Sequence, residues 1–123
     1  MEYLIDENRP IFGQIAERIE EDILAGRLAE EEQVPSTNQF AALYQINPAT
    51  AARGVNLLVD QGILYKKRGM GMFVATGSRQ RLMEKRRELF FEHYVVAMVR
   101  EAKRLGIEEE QVIAMIQKGA TVP

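Results

Sequence analysis

The sequence predicts a mainly α fold with a small β-hairpin wing: a winged helix-turn-helix followed by a two-helix appendage. Three observations carry this. Ile11, Ile15, Ile19 and Ile23 recur at i,i+4 with charges between them. Two helix-start signals, Ser36 with Gln39 and Asn47 with Pro48, follow one another within a dozen or so residues. Two short apolar stretches then flank the basic, glycine-containing turn KKRGMG.

Residues 11–25 (IFGQIAERIEEDILA) read as an amphipathic helix packed along its isoleucine stripe and ended near Gly26. GRLAEEEQVP reads as a loop whose Leu28 and Val34 tuck back onto the core. Ser36 and Gln39 make a capping box for a short helix over Thr37–Tyr44. Asn47 can cap the next helix, and Pro48 fits its first position at no hydrogen-bond cost. Two helices separated by about three residues cannot be collinear, which makes a helix-turn-helix. The second helix runs from Pro48 to about Gln61, with Ala51, Val55, Leu58 and Val59 inward and Ala49, Ala52, Arg53 and Asn56 outward. Those outward alanines either permit close approach of a groove wall or serve simply as good helix formers.

Gly62 stops that helix, and ILYKKRGMGMFVA reads as a hairpin packed through Ile63, Tyr65, Phe73 and Val74. Beyond Thr76–Ser78 a long helix is expected from about Arg79 to Leu105, stopped by Gly106, and a short one from about Glu109 to Lys118. The domain boundary is therefore drawn between residues 77 and 78, giving 1–77 and 78–123. The appendage carries an apolar band of Leu82, Leu89, Phe90, Tyr94, Val95, Met98, Val99, Ala102, Leu105, Val112 and Ile116, with Ile113 on the same side of the last helix. About 45 residues support no core of their own, so the band must pack on a second copy or back onto the first domain. A two-fold homodimer, with the band as its interface, is the favoured reading.

The chain has 123 residues, 46% apolar and 28% charged, and suits a folded domain with a small appendage. Absence of cysteine removes disulfides and thiolate chemistry. His93 stands alone, which excludes a multi-histidine metal site within one protomer. MEYLIDENRP has no apolar signal region, and no apolar run approaches a membrane span, so a cytoplasmic location without membrane contact is expected. No nucleophile elbow, phosphate loop or cleft acid pair is visible, so neither an enzyme nor a cofactor is expected. The net charge of −2 is unevenly spread: between Ser36 and Ser78 the only acid is Asp60, against Arg53, Lys66, Lys67 and Arg68. Local field steers a polyanion more than net charge does, so double-stranded DNA is the expected partner.

Base reading is assigned to the N-terminal half of the second helix: Asn47, Ala49, Thr50 and Arg53, with Asn56 further away. Asn47 alternatively only caps, and Thr50 alternatively only serves the helix start. Ser36, Thr37 and Asn38 are placed on phosphate through the helix amides, with Ser36 as a pure cap the competing reading. Lys66, Lys67 and Arg68 are assigned to phosphates or the minor groove, with Gly69 and Gly71 shaping the tip. Glu30–Glu32 and the run at Glu108 read as solvated loops. Phe90, Phe91 and Tyr94 read as packing residues or as the wall of a small ligand cavity. A winged helix used for protein or RNA interaction instead of DNA is the rival reading.

The motifs PIFGQI (Pro10–Ile15), GRLAEEEQVPSTNQFA (Gly26–Ala41), QGIL (Gln61–Leu64) and GMGMFV (Gly69–Val74) resemble those of the GntR superfamily of bacterial transcriptional regulators. INPATAARGVNLL (Ile46–Leu58) and the tail from Arg86 to Ile116 resemble the YtrA-like subfamily with its short two-helix dimerisation module. The resemblance implies a homodimeric regulator, usually a repressor, on a near-palindromic operator. It leaves room for a small-molecule effector of unknown identity only in a small site or at the dimer interface. Asn38, Pro48 and Ala52 stand where many relatives carry arginine, and Met72 where threonine is usual. Operator sequences therefore do not transfer from those relatives.

Overall fold

The computed structural model describes residues 5–123; residues 1–4, counted above with the first domain, lie outside the described residues. The element order is α1 (Ile11–Leu24), α2 (Thr37–Tyr44), α3 (Pro48–Asp60), β1 (Leu64–Lys67), β2 (Gly71–Val74), α4 (Ser78–Phe90), a π-helical segment (Phe91–Val96), α5 (Ala97–Arg104) and α6 (Glu109–Gly119). The chain divides into two compact units, Met1–Met83 and Glu84–Pro123.

In the first unit, the isoleucine stripe does what its period predicts: Ile15, Ile19 and Ile23 are fully buried, while Ile11 is half-buried. Each full burial contributes about 1.5–3 kcal/mol. They meet Ala51, Val55 and Leu58 of α3, with Phe40 and Ala41 of α2 closing the core. Contact between α1 and α3 is close because residue 54 is glycine. A Cβ there would stand 2.6 Å from the Phe12 carbonyl oxygen and 2.9 Å from the Ile15 Cβ.

Both predicted helix starts are formed. Ser36 Oγ accepts from the Gln39 amide at 3.1 Å, and Gln39 Oε1 accepts from the Ser36 amide at 2.7 Å. Asn47 Oδ1 accepts from the Ala49 amide at 2.8 Å, and Pro48 occupies the first turn. Gln45, in the left-handed region at φ 54°, ends α2 and turns the chain toward α3.

Strands β1 and β2 pair antiparallel, from Leu64 opposite Val74 to Lys67 opposite Gly71. Of the predicted packing set, Ile63, Phe73 and Val74 are buried and Leu64 joins them, whereas Tyr65 is only half-buried. Alternation sends Tyr65 to the face opposite Leu64, where its ring lies 6.0 Å from that of its cross-strand partner Phe73. The segment read as a loop is also more ordered than expected. Glu31 donates its amide to Val74 O at 2.7 Å, Val74 donates its own to Glu32 O at 3.0 Å, and Val34 donates to Met72 O at 2.9 Å. Residues 31–34 thus run beside β2, with an isolated antiparallel bridge between Gln33 and Phe73, without forming a further strand.

The long-helix expectation needs two corrections. Its start belongs to the first unit: Ser78 is fully buried with its hydroxyl donating to Ile63 O at 2.6 Å, and Leu82 lies in the same core. Leu82 is therefore a core residue and not part of the appendage's exposed band, and the division falls after Met83 instead of after residue 77. The composition change at Thr76–Ser78 marks the end of the hairpin and not the end of the core. Second, the helix is not uniformly α but passes through the π-helical segment Phe91–Val96.

In the second unit, Gly106 at φ 69° separates α5 from α6, and the Ile107 amide donates to Ala102 O at 2.8 Å. Glu108 is exposed, as its acidic run predicts, and also caps: its side chain and that of Gln111 form a reciprocal box at the start of α6. Of the predicted band, Ala102 is buried and Val95 and Val112 are half-buried. Leu89, Phe90, Tyr94, Met98, Val99, Leu105, Ile113 and Ile116 are exposed, joined by Phe91 and Met115.

Candidate nucleic-acid interface

The outward face of α3 forms an open depression whose walls include Phe12, Ala49, Ala52, Arg53, Asn56 and Asp60. Arg53, Ala49 and Asn56 are exposed; Thr50 is half-buried, with its amide bonded to Asn47 O. Asn47 is exposed but its side-chain oxygen is occupied by the cap, leaving its side-chain nitrogen as the donor group it can offer. The Arg53 guanidinium lies over the Phe12 ring, 3.9 Å from the centroid.

At the start of α2, Ser36 and Asn38 are exposed and Thr37 is half-buried. The Ser36 hydroxyl oxygen is committed to the capping box, so the Thr37 and Asn38 amides are the donors that the first turn leaves to an anion.

On the wing the basic residues part company. Lys66 and Lys67 are strand residues, opposite Met72 and Gly71, and alternation sends them to opposite faces. Lys67 Nζ lies 4.5 Å from the Phe73 ring centroid and 5.8 Å from that of Tyr65, drawn back along the wing. Arg68 is exposed at the turn, followed by Gly69 at φ 77° and Gly71 at φ 118°, a backbone path that side chains resist. Gln33 ties this tip down by donating from Nε2 to Met70 O at 2.6 Å.

The base of the wing is clasped by Glu31, whose carboxylate accepts from the Tyr65 hydroxyl and from Thr76 Oγ1, the latter at 2.7 Å. These bonds hold the Glu31 carboxyl below the ordinary glutamate range, the Tyr65 bond contributing most. The same bond pushes the Tyr65 phenol above its usual value, because losing the proton would set two anions face to face. Glu31, exposed in a turn as its EEE run predicts, is thus also a structural clasp.

Phe12, Gln33 and Glu31 are the contributors that the sequence reading missed. No local pattern couples residue 12 to 53, or residue 33 to 70, since each pair meets only after the helices and hairpin pack. Among the described residues no three His, Cys, Asp or Glu side chains gather to hold a metal, and His93 is exposed in the π-helical segment. No described helix is long and apolar enough to cross a membrane.

Known proteins share this arrangement. A regulator of the GntR family from Bacteroides thetaiotaomicron is 34% identical, with a TM-score of 0.75 over 89% of this chain and 96% of that one. The repressor YtrA of Bacillus subtilis (strain 168) is 25% identical over 89% of this chain and 83% of its own length. The DNA-binding domain of AraR, solved in complex with operator ORX1, matches 61% of this chain and 92% of its own, with 28% identity and a TM-score of 0.53. The family model for gntR bacterial regulatory proteins matches residues 12–74, just over half of the chain and nearly the whole span from α1 through the wing. The chain therefore belongs to the gntR family of bacterial regulatory proteins.

Proposed function

We propose that this chain is a homodimeric, sequence-specific DNA-binding repressor that recognises a near-palindromic operator. The observation that carries the proposal is the exposed face of α3, where Arg53 is stacked on a ring and in no ion pair among the described residues, with a capped helix start before it in the chain and a basic wing after it. An arginine so placed can pair bidentately with guanine in the major groove, while the α2 amides and Arg68 engage phosphate. The similarity to an AraR domain seen on its operator supports DNA as the partner, and the similarity to a protein named as a repressor supports the sign of control.

Homodimerisation rests on the second unit, which leaves Phe90, Tyr94, Leu105 and Ile116 each more than half exposed. Apolar surface of that kind is costly in water, and a two-fold partner covers it while presenting two α3 helices to two half-sites. In this reading no catalysis and no cofactor are involved.

The test is selection of genomic fragments by the full-length protein, followed by footprinting. A symmetric site, with protected half-sites separated by one helical turn or a multiple of it, is expected. Enrichment of no duplex, or of RNA over DNA, would overturn the proposal.

A further inference from the structure

We propose that Phe12 is a specificity-determining positioning residue: its ring is the platform that fixes the Arg53 guanidinium in the pose from which it reads a base edge. This rests on the DNA-reading role given to α3. A cation within about 6 Å of an aromatic centroid is attracted by the ring quadrupole, and Arg53 lies well inside that limit at 3.9 Å.

The platform is itself rigid. Phe12 belongs to α1, whose next turns bury Ile15 and Ile19 completely. Its backbone is pressed against α3 at Gly54, the residue after Arg53, where even a Cβ would lie 2.6 Å from the Phe12 carbonyl oxygen. Ring and arginine are therefore held on two helices that cannot slide apart without opening the core. The stack engages the guanidinium without taking any of its N–H donors, which stay available to a guanine. A free arginine must surrender many rotamers on binding; one already seated on a ring surrenders fewer. Phe12 is half-buried and outside the packed core, so an aliphatic replacement removes the ring without excavating the interior.

The experiment compares wild type with F12L, F12Y, R53A and the F12L/R53A double variant. The probes are the duplex enriched by in vitro selection with wild-type protein and a set of its single-base-pair variants. R53A identifies the base pair that Arg53 reads. F12L is expected to lower discrimination at that base pair alone by about two- to fivefold, the range of an exposed cation–π contact. F12Y restores it, F12L adds nothing in the R53A background, and the salt dependence of binding is unchanged. In the free protein, the Arg53 δ-methylene protons are expected upfield in NMR spectra, from the ring current, and to return to ordinary positions in F12L.

Full discrimination in F12L at the base pair that R53A abolishes would overturn the inference while leaving DNA reading intact. A uniform loss at all positions together with a lowered Tm would also overturn it, by showing a merely structural role. Absence of base discrimination in wild type would overturn the DNA-reading role and this inference with it.

Discussion

Gly54 sits in the interior of α3, where glycine is disfavoured by about 1 kcal/mol relative to alanine, so helix propensity alone says that G54A stabilises the protein. The packing says the reverse. An added Cβ would stand 2.6 Å from the Phe12 carbonyl oxygen and 2.9 Å from the Ile15 Cβ, against ordinary contact from 3.4 Å. The nearer atom is backbone and cannot swing away, so α1 must retreat by about 0.8 Å along that line. A gap of that size forfeits roughly a quarter to a half of the dispersion attraction at each facing contact. Those contacts include the fully buried Ile15, Ile19, Val55 and Leu58. Overpacking of this kind costs about 1–3 kcal/mol, which exceeds the propensity gain or roughly matches it at the low end. G54A should therefore lose up to about 2 kcal/mol net, and G54V, with two further methyl groups, about 3 kcal/mol or more. Urea denaturation of the full-length chain, followed by circular dichroism, measures both. A G54A variant about 1 kcal/mol more stable than wild type would sink this expectation, because propensity would then have outweighed the helix contact.

Other expectations concern the caps, the clasp and the second unit. N47A should cost about 0.5–2 kcal/mol and N47G only a few tenths, since glycine tolerates the cap position; chemical denaturation separates the two. For Glu31, whose folded pKa is depressed, the clasp stabilises above the unfolded glutamate value and its contribution falls away as pH drops through the folded one. Y65F should raise the Glu31 pKa in an NMR titration, and its stability deficit against wild type should shrink as acid protonates Glu31. The Tyr65 phenol, raised in the folded state, stabilises fully below its unfolded value and ceases to do so as pH rises through the folded one. Sedimentation should find wild type as a dimer and I116D as a folded monomer; a wild-type monomer would remove the two-half-site arrangement. R68A should weaken binding similarly on all duplexes and make the salt slope shallower by about 0.9 for each phosphate no longer neutralised, which titrations at several salt concentrations would show.

Features encoded over a few neighbouring residues are legible in the sequence alone. The isoleucine stripe, the Ser36–Gln39 box, the Asn47–Pro48 start and the basic turn each announce themselves within about a dozen residues, and each is formed. What stays hidden depends on long-range packing. Of the hairpin's four predicted packing residues only Tyr65 stays half-buried, its hydroxyl reaching the carboxylate of Glu31 34 positions away, a partner that no local pattern announces. Leu82 groups with the apolar band on sequence because helical periodicity shows that a residue is buried but not in which core. The Glu31 clasp and the Gln33 tie join residues 34 and 37 positions apart, and neither glutamate nor glutamine in a polar segment signals such a bond. Of the candidate interface, the residue identities on α3 are readable, but the Phe12 stack beneath Arg53 is not.

Reading of duplex DNA by the α3 face and wing is tested most directly by fluorescence anisotropy of the full-length protein. The duplexes are the one enriched by selection and a scrambled one of equal length, each titrated at two salt concentrations. Binding to the selected duplex at least about a thousandfold tighter than to the scrambled one is expected, with both affinities falling as salt rises. Equal affinity for the two duplexes, or binding indifferent to salt, would contradict a DNA-reading role for this face.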